Sequence, residues 1–215
     1  MIKNSIVSKK TVYIVRHGET DFNRLGIIQG SGVNSELNET GLRQALAFFE
    51  HYRHVPFEAV LTSRLQRTHQ TVKHFIDGGL PWEQFEEINE MNWGKHEGKE
   101  GTPEMIEEYQ MIKSEWGNGN YDARIQGGES AAELGERISR FVAHLRQRDE
   151  QLLLICSHGR AMSALMSVLR QEELKHMNKY IHHNTGLWMT HFSDGLFRFE
   201  IENDTRHLGT VDGGR

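Results

Sequence analysis

The chain has 215 residues, 37% of them hydrophobic and 26% charged, with a single cysteine. A chain of this length buries roughly 70–75% of its unfolded surface, so it supports its own core, and one cysteine excludes both a disulfide framework and an all-cysteine zinc site. Its 25 basic and 30 acidic side chains leave a net charge of −5, which excludes a general attraction to nucleic acid or anionic lipid.

From the N-terminus, Met1–Lys10 is polar and lacks the apolar stretch of a signal peptide. No segment reaches the roughly 18–20 apolar residues of a membrane helix. The expectation is a cytoplasmic protein with flexible tails at 1–10 and 203–215 around one domain at 11–202. Thr11–Val15 is a β-branched run suited to a central parallel strand. Leu42, Leu46, Phe49 and the pair Ala45 and Phe48 then repeat at helical spacing behind Asn38 as N-cap. Ala59–Leu61 reads as a strand, Arg64–Ile76 as a helix stopped by Asp77-Gly78-Gly79 and Pro81, and Phe85–Ile88 as a third strand.

Pro103–Trp116 is expected to be a helix with Met105, Ile106, Tyr109 and Ile112 on one side, inside a helical insert at 99–128 that would act as a lid. Ser130-Ala-Ala-Glu133 forms a capping box, and its helix carries Leu134, Ile138, Phe141, Val142 and Leu145 as one stripe. Gln151–Cys156 is the strongest buried-strand signal and leads into a helix over Ala161–Leu169. Leu187–Thr190 and Leu196–Ile201 pair as a hairpin through Ser193-Asp194-Gly195. This alternation predicts an α/β fold, a single three-layer α/β/α domain with a mostly parallel central sheet.

Ligands in such sheets sit at the carboxyl ends of the strands. There the strands deliver Arg16-His17-Gly18-Glu19-Thr20, then Thr62-Ser63-Arg64 followed by Arg67, then Ser157-His158-Gly159. Two arginines and two histidines gathered at one sheet edge repel one another unless an anion joins them, which points to a phosphate pocket. The other histidines lack zinc-helix spacing and companion ligands, so no metal site and no cofactor are expected, and those side chains read as surface.

These blocks also carry a resemblance. Arg16-His17-Gly18-Glu19-Thr20 with Asn23, Gln29-Gly30, Ser63–Thr68, Glu90 with Gly94 and Glu97-Gly98, Gly128-Glu129-Ser130 and Ser157-His158-Gly159 are similar, in order, to the signature of the histidine phosphatase superfamily, also called phosphoglycerate mutase-like. The resemblance implies a phosphoglycerate mutase-like fold and a two-step phosphoryl transfer. His17 would attack phosphorus, with Arg16, Arg64 and an imidazolium His158 neutralising the phosphoryl oxygens and lowering the His17 pKa by repulsion. Asn23, Gln29, Gly30, Gly159 and Arg67 would line the phosphate, although Arg67 also suits a carboxylate pair on its own helix. Glu90 would be the general acid and base, with Glu87 as its rival.

The mutase branch carries paired arginines after the acid. Here Met91-Asn92-Trp93-Gly94 follows it, and only Lys95, Lys99, Lys113 and Arg124 are candidates for a second anion. Hydrolysis of a small phosphomonoester is therefore preferred to mutase chemistry or to a non-catalytic phospho-ligand module, with no nucleic-acid or membrane partner. Two departures from the family pattern leave the substrate open: Asn34 where Asp is common, and Gly186 where a small Ser, Cys or Ala is frequent.

Overall fold

The computed structural model describes residues 9–209. Strands β1 (Lys10–Arg16), β2 (Ala59–Thr62), β3 (Trp82–Gln84), β4 (Leu152–Ser157), β5 (Leu187–Ser193) and β6 (Leu196–Asp204) form one sheet in the order β3-β2-β4-β1-β5-β6. The first four are parallel, and β5 and β6 add an antiparallel edge through the expected hairpin. Asp194 and Gly195, at φ 54° and 78°, make its tight turn.

Because strand side chains alternate, each central strand feeds two cores. Val12, Ile14, Leu153 and Ile155 face the layer of α6 (Ala131–Gln147) and α7 (Gly159–Leu169). Val15, Leu154 and Cys156 face the opposite layer, formed by α2 (Glu39–Tyr52), α3 (Gln66–Thr71) and α4 (Lys73–Asp77). Two further helices, α1 (Asp21–Arg24) and α5 (Pro103–Gly117), follow β1 and precede α6 in the chain. The α6 capping box forms, and all five stripe residues are buried.

Several expectations shift for physical reasons. In α2 the buried face is Gly41, Gln44, Ala45, Phe48 and Tyr52, whereas Leu42 and Leu46 are exposed. The Gln44 amide oxygen accepts from Glu19 N at 2.9 Å, and a Cβ on Gly41 would stand 2.0 Å from Glu19 O. A polar anchor and one close backbone approach thus turn the helix away from its leucines. The expected helix over Arg64–Ile76 breaks at Val72, after Thr71 Oγ1 donates back to Arg67 O. The third strand is Trp82–Gln84 instead of Phe85–Ile88, where Glu86–Ile88 forms a 3-10 turn. All three β3 residues are exposed, so hydrophobicity carried no trace of this edge strand.

The tails also need correction where they are described. Residues 1–8 and 210–215 lie outside the described residues, but Lys10 is a buried β1 residue whose Nζ donates to Leu145 O and Arg148 O. Beyond 202 the chain continues β6 and a 3-10 turn, Arg206–Leu208, whose His207 packs on Phe48 at 5.3 Å and bonds Thr185 Oγ1 at 3.0 Å.

Candidate active site

β1, β2 and β4 end together, held by His17 N donating to Ser157 O at 3.0 Å. His17 is 3% exposed, and its Nδ1 lies 2.8 Å from Gly18 O. A carbonyl only accepts, so Nδ1 carries the proton and Nε2 keeps its lone pair. Burial foremost, then the Arg67 and Arg16 guanidiniums, hold the His17 pKa well below the ordinary imidazole value, while the Gly18 hydrogen bond opposes them. Gly18 N in turn donates to Thr71 Oγ1, which fixes the carbonyl that orients the ring.

His158 is fully buried at the N-cap of α7, its ring centroid 5.1 Å from that of His17. Arg67 Nε donates to its Nδ1 at 3.2 Å, so Nε2 bears the proton and donates to Ser63 Oγ at 2.8 Å. The imidazolium expected for His158 is therefore corrected: it is neutral, its pKa held well below the ordinary value by burial and then by Arg67.

The arginine at the cluster also differs from expectation. The Arg64 side chain is 60% exposed and pairs with Glu86 at 2.8 Å, away from the histidines. Arg67, one turn on, is fully buried and donates to Val33 O at 2.7 Å and Gly30 O at 3.4 Å as well as to His158. Burial lowers its pKa to about 10, with Glu90 opposing, so it remains a cation near neutrality. Arg64 ends the strand-to-helix turn pointing outward, and the first turn of α3 carries Arg67 inward.

Arg16 donates from one terminal nitrogen to His182 O at 2.8 Å, while its buried Nε has no partner among the described residues. A Cβ on Gly159 would stand 3.7 Å from that Nε and 3.8 Å from Glu90 Oε2, so glycine at 159 keeps the space between them open. Glu90 is 8% exposed. Its Oε1 accepts from Met91 N and Ala161 N at 2.9 and 3.0 Å, and Oε2 accepts from Arg160 N at 3.1 Å. This is the position that a carboxylate takes over a helix N-terminus. Glu87 does not share it.

Asn23 caps α1 with Thr20, its Oδ1 accepting from Thr20 N at 3.1 Å and from Asn184 Nδ2 at 3.4 Å. Gln29 bonds Thr20 Oγ1 and Ser35 Oγ, and so braces this loop. The Glu19 carboxylate accepts from the side-chain amide of Asn38, the N-cap of α2, at 2.8 Å.

Three supporting residues escaped the sequence reading. Arg137 of α6 donates to Glu87 O, Asn89 O and Glu90 O at 2.7, 2.8 and 3.2 Å while paired with Glu129 at 2.6 Å. The Gly-Glu-Ser block with an arginine two turns into the following helix was the available signal. Asn184 donates to His17 O at 2.9 Å, from the segment noted as departing from the family pattern. A Cβ on Gly186 there would stand 2.2 Å from Asn203 Oδ1 and 3.0 Å from His183 O. His182 is the third. It was read as a surface residue, yet it is buried, as are His96 and His207. Among the described residues no three His, Cys, Asp or Glu side chains are grouped to hold a metal ion, and no helix is long and apolar enough to cross a membrane.

A buried imidazole with a free Nε2, set between two arginines at the open end of a parallel sheet, defines a protein built for phosphoryl transfer to histidine. Comparison with known proteins agrees with that class. The model of the histidine phosphatase superfamily (branch 1) matches residues 12–205, and the chain belongs to this superfamily. It is 33% identical to the adenosylcobalamin/alpha-ribazole phosphatase of Salmonella typhimurium over 74% of this chain and 78% of that protein. It is 35% identical to a probable phosphoglycerate mutase of Yersinia pestis over 74% of each chain. Among solved structures, a putative alpha-ribazole-5'-P phosphatase from Escherichia coli superposes with a TM-score of 0.80 at 25% identity, covering 91% of this chain and 96% of that one. The expected fold and the class of reaction, phosphomonoester hydrolysis through phosphohistidine, stand with the family.

Proposed function

We propose that the chain hydrolyses small phosphomonoesters in two steps. His17 Nε2 attacks phosphorus in line, the bond to the leaving oxygen breaks, and that oxygen takes a proton from the Glu90 carboxyl. Water then gives a proton to the Glu90 carboxylate and attacks the phosphohistidine, breaking the P–N bond and releasing phosphate. In a loose transition state the charge lies on the peripheral phosphoryl oxygens, so preorganised cations contribute most. Arg16 and Arg67 are these cations in the present reading, with His158 orienting Arg67 and Asn23 adding a neutral donor. Gly159 leaves room for the phosphate, Gly30 supplies a carbonyl that holds Arg67, Gln29 braces its loop, and α5 covers the leaving group as a partial lid.

The observation that carries this reading is the His17 tautomer. The Nδ1 bond to Gly18 O commits one nitrogen as donor and leaves the other as nucleophile. The net charge of −5 supports a small phosphomonoester over nucleic acid or an anionic membrane surface as substrate.

The test is rapid, acid-free quenching with a phosphate-labelled aryl ester, followed by peptide mapping. Label on the His17 peptide is expected, and turnover without label on any histidine would overturn the mechanism. Similarity to a phosphoglycerate mutase supports a second reading, return of the phosphoryl group to a carboxylated alcohol. Phosphate release measured beside phosphoglycerate interconversion separates the two, and net release is expected to dominate.

A further inference from the structure

Glu97 has no part in the two steps above, although Glu97-Gly98 is one of the sequence blocks that carry the family resemblance. It closes a 3-10 turn, Gly94–His96, on the segment that follows Glu90. Its side chain folds back over that turn, and Oε1 accepts from Trp93 N at 2.9 Å. The same segment holds the loop at 28–33 through the backbone. Ser31 N donates to Met91 O at 3.3 Å, Ile28 N to Lys99 O at 2.9 Å, and Gly98 N to Ile28 O at 2.9 Å.

The loop also lies directly on the carboxylate. A Cβ on Gly30 would stand 1.8 Å from Glu97 Oε1, and one on Gly32 would stand 2.3 Å from Oε2. Each oxygen thus faces one glycine, at an approach that any other side chain would block. Neither glycine has a positive φ, so close approach, and not backbone freedom, is what glycine supplies here.

The other contacts of this loop go to Arg67. The two terminal nitrogens of Arg67 donate to Val33 O at 2.7 Å and Gly30 O at 3.4 Å, and Val33 N closes the turn on Gly30 O at 3.3 Å. Glu97 is close enough that its charge raises the Arg67 pKa against the effect of burial, as the Glu90 charge also does. A fully buried guanidinium needs such neighbours, because an isolated charge is costly to bury.

We propose that Glu97 is a positioning residue for the phosphate site: its carboxylate seats the loop at 30–33, and the loop carbonyls aim Arg67 at the phosphoryl oxygens. Glu97 itself touches no substrate. A shift of about 1 Å in a group that must meet a transition state can cost roughly 10^2-fold in rate, so the seat of the loop matters to the chemistry. The proposal rests on the phosphomonoesterase reading, because only there is Arg67 a ligand of phosphate.

The test approaches the contact from both sides, using kcat/KM for an aryl and an alkyl phosphate and inhibition by inorganic phosphate. Gly32→Ala, a change in an exposed turn, should raise the phosphate inhibition constant and lower kcat/KM, each about tenfold. Glu97→Ala should lose about 30-fold in kcat/KM, and Glu97→Gln, which keeps the shape and an acceptor oxygen, should recover most of that. Both esters should lose equally, because Arg67 acts on phosphoryl oxygens and not on the leaving group. In an Arg67→Gln chain, Gly32→Ala and Glu97→Ala should each cost less than about twofold more, the coupling expected of residues that act through one cation. Gly32→Ala keeps the test decisive if Glu97→Ala disturbs folding. Unchanged phosphate inhibition in Gly32→Ala, a loss confined to the alkyl ester, or the same loss with and without Arg67 would overturn the role of Glu97, while label on His17 still upheld the phosphatase reading. Absence of label on His17 in the parent chain would overturn both.

Discussion

At the strand ends, His17, His158 and Arg67 are buried, and their ring and guanidinium donors are committed to Gly18 O, Ser63 Oγ, Val33 O and Gly30 O. By contrast, α5 buries only Trp116 and leaves Ile106 and Met111 exposed. The first region is a fixed device assembled from three strands and is the same for any phosphoester. The second is a single helix with little of its surface buried, where changing one exposed side chain costs the fold little. The two regions therefore differ in their tolerance to substitution.

The largest effect should come from the nucleophile. His17→Asn is expected to lower turnover by on the order of 10^4-fold or more and to abolish phosphohistidine on mapping. Retained label elsewhere would remove His17 from the centre of the fixed region. A smaller but more discriminating test sets the two neighbouring arginines against each other. Arg67→Gln should lose on the order of 10^3-fold in kcat/KM, as expected for a cation lost from phosphoryl oxygens. Arg64→Gln should stay within about twofold, since an exposed ion pair is worth little. Equal losses would restore the strand-end arginine to the site.

Arg137 lies between these regions in effect, because it is anchored by Glu129 and holds the backbone that carries Glu90 without touching its carboxyl group. As a positioning residue it should act through proton transfer. Arg137→Ala should cut hydrolysis of alkyl phosphates roughly 10- to 100-fold, and should change aryl phosphates much less, since good leaving groups need no acid. Partial recovery in Arg137→Lys would support the role. Equal loss on both ester classes would reduce Arg137 to a structural support.

Legibility in the sequence follows the same division. The central strands were readable because burial on both faces leaves continuous apolar runs, as in Leu152–Cys156, and α6 because its stripe and cap agree. The strand-end motifs placed His17, His158 and Arg16 at one edge, and the family resemblance added Glu90. What sequence spacing does not reveal is direction. Arg64 and Arg67 are three residues apart, and only the turn between β2 and α3 decides which enters. Similarly, β3 and the buried face of α2 are set by edge pairing and by the Gln44 bond to Glu19, neither of which leaves a hydrophobic signature. His182 and His207 are buried by contacts far along the chain, so composition read them as surface.

The smallest predicted effect concerns stability rather than rate, and it tests whether the fixed region extends to His182. Burial lowers the pKa of His17 and His158 well below the ordinary value and that of His182 to about 3, with Arg16, Arg160 and His183 adding repulsion. In each case the unfolded chain binds a proton that the folded one does not. The neutral histidines therefore cost nothing above about pH 6.5, and stability falls as the pH drops below that value, by about 1.4 kcal/mol per pH unit per histidine. For His182 the loss continues down to about pH 3. His182→Phe keeps an aromatic ring against Trp188 but removes one proton from this balance. Urea midpoints measured from pH 7 to pH 4 should therefore decline less steeply in His182→Phe than in the parent chain, by the contribution of one histidine. Parallel curves would mean that His182 takes up its proton within the folded state, and would separate it from the buried, neutral pair at the strand ends.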